Sequence, residues 1–97
     1  MENLKEWLLH RCYQDLNLED VEYLCLAKND LDYLPKEIFF LNNLIGLDLY
    51  QNRLTDIPED IFKLENLERI DLRGNELSEE SKDILKKLEA RGVEVYL

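Results

Sequence analysis

Apolar residues recur along the chain at an interval of 23 positions. Sliding the sequence by that interval lays Val21, Leu24, Leu26 and Leu31 on Leu44, Leu47, Leu49 and Leu54, and those on Leu67, Ile70, Leu72 and Leu77. Asn29, Asn52 and Asn75 keep one place in the same register. Within each unit the fourth and sixth residues are apolar, so they are predicted to point inward from a short strand while the third, fifth and seventh point out. The inward pairs are Leu24/Leu26, Leu47/Leu49 and Ile70/Leu72.

The Asn that closes each strand is predicted to be structural, since its side chain can satisfy backbone groups of the next turn that would otherwise be buried without partners. Leu34-Pro35 and Ile57-Pro58 then open return segments, with Pro fixing φ at the start of a helical or 3₁₀ turn. Ile38, Leu41, Ile61 and Leu64 fill the outer side of the core, and Phe39 and Phe62, also 23 apart, are expected to pack there. Phe40 aligns with Lys63 and is expected to be exposed.

The two ends depart from this pattern. Residues 3 to 13 predict an amphipathic helix, with Asn3 as cap, Glu6 as its capping-box partner, and Leu4, Trp7, Leu8 and Cys12 on one face. Such a helix would cover the open side of the first repeat. After Asn75, Ser78 to Gly92 predicts a helix: Ser78 suits the N-cap, Glu79 and Glu80 the first turn, Lys86, Lys87 and Arg91 the last, and Gly92 the left-handed stop. Val93 and Val95 lie 23 residues beyond Ile70 and Leu72, which predicts a fourth parallel strand over Val93 to Leu97 in unbroken register. The expected organisation is one domain over 1–97, with an N-terminal cap (1–20), three repeats (21–77) and a C-terminal helix and strand (78–97).

Size and composition narrow the class. A chain of 97 residues, 45% hydrophobic and 35% charged, builds one core and is neither a linker nor a disordered tail. Its longest apolar runs are too short to cross a bilayer as a helix, and Met-Glu-Asn-Leu-Lys-Glu-Trp lacks the features of a secretory leader, so a cytoplasmic location is expected. With 22 acidic against 12 basic residues and a formal charge of -10, neither nucleic acid nor an anionic membrane is the expected partner, whereas a basic protein surface would be attracted. Cys12 and Cys25 form no CxxC pair and His10 is the sole histidine, so reduced thiols are expected and a Cys/His metal site is short of ligands.

The spacing L-x-x-L-x-L-x-x-N-x-L, met in full by 44–54 and with one Val or Ile by 21–31 and 67–77, resembles the leucine-rich repeat family, and the L-P-x-x-I-x-x-L returns are similar to its 23-residue subtype. The resemblance implies an α/β fold: a right-handed solenoid or short horseshoe with a concave parallel β-sheet, a 3₁₀ or helical convex side, and N- and C-terminal helical caps. It further implies protein recognition without enzymatic activity or a cofactor. The consensus residues are core, so no catalytic residue carries over.

Function is therefore expected on the outward strand positions, which the 23-residue register arranges in columns: Tyr23, Gly46, Arg69 and Gly92; Cys25, Asp48, Asp71 and Glu94; Ala27, Tyr50, Arg73 and Tyr96. Tyr and Arg are enriched at energetic hot spots of interfaces, so Tyr23, Cys25, Asp48, Tyr50, Arg69, Asp71, Arg73, Glu94 and Tyr96 are the candidate partner-binding residues. The plainer alternative is a solvated face on which Arg69 and Arg73 neutralise Asp48 and Asp71 across neighbouring strands. Stacking of Asp48, Asp71 and Glu94 about 4.8 Å apart offers a cation only a flat ladder, without the carbonyls and tight loop of a calcium site. Four short strands span only about 300 to 400 Å², against about 800 Å² per partner in a standard interface, so a partner must bind weakly or reach the turns as well.

Three functions follow from these residues. The first is a non-enzymatic protein-binding module using the concave face. The second is an acidic blocker of a basic, nucleic-acid-handling surface. The third is a homo-oligomer through the Val93 to Leu97 edge, although a monomer is expected rather than a homodimer. An enzyme is disfavoured because no Gly-rich phosphate loop and no nucleophile beside a base is present.

Overall fold

The computed structural model describes residues 18–97, so the helix expected over residues 3 to 13 lies outside the described residues. Four short strands, β1 (Tyr23–Cys25), β2 (Gly46–Asp48), β3 (Arg69–Asp71) and β4 (Glu94–Tyr96), form one parallel sheet in chain order. Pairing places Leu24 beside Leu47 and Leu47 beside Ile70, so the repeat interval becomes the sheet register. Each inward pair is buried, together with Leu44, Leu54, Ile57, Ile61 and Leu67, in one continuous core. The consensus apolar positions thus coat the inside of the coil, and the residues between them are left to solvent.

The turn after each strand is held by the asparagines, and the hydrogen bonds show why no other residue type repeats there. Asn52, buried at 6% exposure, donates from Nδ2 to the carbonyls of Leu26 (2.9 Å) and Leu49 (3.1 Å). Its Oδ1 accepts from the amides of Asn29 (3.0 Å) and Leu31 (3.1 Å). Asn75 repeats the arrangement one turn on, bonding the Leu49 and Leu72 carbonyls and accepting from the Leu54 amide. One amide side chain therefore satisfies donors and acceptors on two successive turns, as expected for buried backbone leaving a sheet. The residue before each Asn turns left-handed, at Lys28 (φ 60°), Gln51 (φ 53°) and Gly74 (φ 81°). Only the last of these is glycine, and a Cβ there would come within 2.9 Å of Gln51 Cγ.

The return segments contain 3₁₀ turns at Lys36–Phe40 and Glu59–Lys63. Pro35 and Pro58 stand immediately before them, and their carbonyls accept the amides of Ile38 and Ile61, each at 3.1 Å. Phe39 is buried and Phe62 half-buried, the latter beneath the Arg91 guanidinium at 5.5 Å. Phe40 is exposed at 70%, with Lys63 Nζ 5.7 Å from its ring centre.

The helix α1 (Glu79–Ala90) replaces the third return. Ser78 caps it by accepting the Ser81 amide at 3.2 Å, and Gly92 ends it with φ 97°. Leu85 and Leu88 are buried against the core, and α1 packs on β4.

The register of the fourth strand differs from the expected one. Val95, not Val93, pairs with Ile70, and Glu94 and Tyr96 lie beside Arg69 and Asp71, an offset of 25. Leu97 accordingly takes the place expected for Val95 and is 61% exposed. An α-helix advances about 1.5 Å per residue against about 2.0 Å for a 3₁₀ turn, so a helical return needs more residues to bring the chain back to the sheet.

Candidate functional site

The outward face of the sheet is built by two rows of neighbouring side chains and the residues just past the strands. The corrected register makes the first row Tyr23, Gly46, Arg69 and Glu94, and the second Cys25, Asp48, Asp71 and Tyr96. The stack of Asp48, Asp71 and Glu94 expected from the sequence is therefore not formed, because Tyr96 occupies the third place and Glu94 lies beside Arg69. Gly92 likewise does not join the column of Tyr23, Gly46 and Arg69. Among the described residues no group of three His, Cys, Asp or Glu is gathered as a metal ion would require.

An open depression of about 400 Å³ lies over the sheet, lined by Tyr23, Cys25, Asp48, Arg69, Asp71, Arg73 and Tyr96 around the bare backbone of Gly46. Of the candidate residues, Tyr50 and Glu94 do not line it but hold residues that do. The Arg73 guanidinium lies over the Tyr50 ring at 5.3 Å, and Tyr96 donates its hydroxyl proton to Glu94 Oε2 at 2.6 Å. That hydrogen bond, with the nearby negative charge, raises the Tyr96 phenol above its ordinary pKa.

Gly46 is the residue that sequence reasoning did not single out. A Cβ there would meet Tyr23 Cδ1 at 2.9 Å and Arg69 Cγ at 3.6 Å. Because that Cβ is missing, the Tyr23 ring leans across β2 and stacks with the Arg69 guanidinium of β3 at 5.4 Å. The signal was present in the repeat register, which puts the one strand position without a side chain between a Tyr and an Arg.

The carboxylates are fixed from below. Asp48 Oδ1 accepts the Tyr50 amide at 3.0 Å and its Oδ2 lies 3.6 Å from Cys25 Sγ. Asp71 accepts the Arg73 amide at 3.1 Å and a two-pronged contact from the same guanidinium, 3.0 Å from Nε and 2.7 Å from Nη2. This contact holds the Asp71 carboxyl below its ordinary pKa and the Arg73 guanidinium above its own. The cross-strand neutralisation that the plainer alternative called for is not what forms. Arg73 pairs with Asp71 two residues back on its own chain, and Arg69 makes no ion pair among the described residues.

The sequence profile described as leucine rich repeat matches residues 17–77. The chain belongs to the leucine-rich repeat family. Eight chains of solved structures match it. One is a leucine-rich repeat protein of Leptospira interrogans, 38% identical, with a TM-score of 0.74 over 81% of this chain. The chain covers 20% of that protein's resolved length, so it corresponds to about one fifth of the relative. No curated protein matches it. Leucine-rich repeat domains serve in general as protein-interaction modules rather than enzymes, and the parallel sheet with its short 3₁₀ returns is the family's architecture in small.

Proposed function

We propose that this chain is a protein-binding module that uses the outward, concave face of its sheet. The observation that carries the reading is a pair of preassembled Tyr–Arg stacks, Tyr23 with Arg69 and Tyr50 with Arg73, standing on a rigid ladder whose inner residues are committed to the core. Stacking removes rotamer freedom from both arginines before any partner arrives, which lowers the ordering cost of binding. Arg and Tyr are also the residue types that most often dominate interface energetics.

The mixed charge of the face, two arginines among Asp48, Asp71 and Glu94, favours this reading over an acidic blocker that acts through the same surface. A blocker needs one sign of charge across its contact. The decisive experiment is capture of a partner by the wild type and by the Tyr50→Ala/Arg73→Ala double variant, with circular dichroism showing that both are folded. Capture is expected to be lost in the variant; unchanged capture removes this face from consideration.

A further inference from the structure

The two Tyr–Arg stacks differ in what else the arginine holds. Arg73 lies over Tyr50 at 5.3 Å and also holds a carboxylate, with Asp71 Oδ2 2.7 Å from Nη2. Arg69 lies over Tyr23 at 5.4 Å and holds none: among the described residues its guanidinium enters no hydrogen bond and no ion pair. Its register neighbour Glu94 faces it from β4, yet that carboxylate takes the Tyr96 hydroxyl at 2.6 Å instead. The molecule thus displays beside the Arg69 stack a finished version of it, with the anion in place.

From this contrast we propose that the face recognises a carboxylate, an Asp or Glu side chain of the partner, which pairs with Arg69 as Asp71 pairs with Arg73. The proposal rests on the concave-face reading and names the chemistry of its contact. A guanidinium is weakly hydrated and presents its donors as a planar fork, so a carboxylate meets it with two parallel charge-assisted hydrogen bonds, which a neutral carboxamide with its single acceptor oxygen does not reproduce. The Tyr23 ring fixes the plane of that fork, and the absence of a Cβ at Gly46 lets the ring reach it across β2. Gly46 is therefore a positioning residue for recognition and Arg69 the contact itself. The net charge of -10 keeps acidic partners at a distance in general, so the pairing selects an acidic residue set within a neutral or basic surface.

The test is selection of a displayed library of random linear peptides on the folded chain, followed by affinity measurements on the winning peptides. Winners are expected to carry an Asp or Glu whose change to Asn or Gln weakens binding about tenfold or more, and Arg69→Gln is expected to cause a similar loss. Arg69→Glu together with a peptide carrying Lys at that place should restore binding, which a merely structural arginine would not do. Gly46→Ala should weaken the acidic peptide without reversing its charge preference. Peptides that depend on Tyr50 but are indifferent to Arg69→Gln would overturn the carboxylate proposal and leave the concave-face reading standing. Peptides indifferent to substitution at Tyr23, Tyr50, Arg69 and Arg73 alike, or no winners at all, would overturn both.

Discussion

At the scale of single residues, Asn52 in the turn after β2 and Asp71 on β3 show how differently two polar side chains are used. Asn52 joins two turns through its bonds to Leu26, Leu49, Asn29 and Leu31, all in buried or half-buried surroundings. Asn52→Ala is expected to cost about 3 kcal/mol or more, since it strands several backbone groups at once. Among the described residues the Asn29 side-chain amide donates to the Ala27 carbonyl alone, at 3.0 Å, and losing that bond in Asn29→Ala should cost about 1 kcal/mol in the same chemical denaturation series. Asp71 contributes through its charge. Its folded pKa is lowered by Arg73, so its stabilisation is fully present above the unfolded carboxylate value of about 3.9 and disappears as pH falls through the lower folded value. Asp71→Asn should therefore be less stable than the wild type at neutral pH, and denaturant midpoints of the two should converge in strong acid. A difference that persisted at low pH would assign the role of Asp71 to packing. The structural asparagines were legible in the sequence because they repeat; the Arg73–Asp71 contact was not, because the repeat register suggests partners on neighbouring strands and says nothing of a fork closing two residues back.

At the scale of elements, the repeat interval made β1 to β3 legible to the residue, yet β4 is displaced by two. The reason lies in the strand itself. Side chains alternate with a period of two, so a slip of two residues leaves every inward residue inward, and Val93/Val95 fits the apolar pattern as well as Val95/Leu97 does. What decides between them is the length of backbone taken up by α1, which no hydrophobic count records. The helix is tied to the preceding turn by Ser81, 2% exposed, whose Oγ accepts the Ile57 amide at 2.8 Å. Ser78 meets the same hydroxyl at 3.0 Å, and its own amide bonds the Thr55 carbonyl at 2.8 Å. Ser81 thus does for the helical return what a buried polar side chain does elsewhere in the coil, supplying an acceptor to backbone that has left the sheet. Ser81→Ala should cost about 2 kcal/mol by leaving the Ile57 amide without a partner, and Ser78→Ala about 1 kcal/mol through loss of the cap, both read from denaturant midpoints. A neutral Ser81→Ala would mean that the Ile57 amide finds another acceptor once the hydroxyl is gone.

At the scale of the whole molecule, the excess acid is not spread evenly over the described surface. The outward face of the sheet mixes signs, whereas Asp20, Glu22 and Glu68 gather with Asn43 and Asn66 around Ile45 at the N-terminal rim of the strands. None of these three acids has an ion-pair partner among the described residues; the ion pairs of Arg53 with Asp32, Lys63 with Asp60, Lys82 with Glu79 and Lys86 with Asp83 lie elsewhere. Strands about 4.8 Å apart put Glu22 and Glu68, two strands from each other, within roughly one Debye length at 0.1 M salt, so their repulsion is felt in dilute buffer and fades at physiological ionic strength. Folding concentrates this charge, so the folded state bears the repulsion more than the unfolded chain does. The melting temperature is therefore expected to rise by a few degrees as salt is raised from about 0.01 M to 0.15 M. Glu68→Gln should melt higher than the wild type in dilute buffer and gain less from added salt. Asp71→Asn provides the contrast, because salt weakens an attraction there instead of a repulsion, so the two variants should change the salt response in opposite directions. Equal salt responses in all three proteins would show that the rim charges are already relaxed by their exposure, and that the acidity of this chain acts on its partners alone.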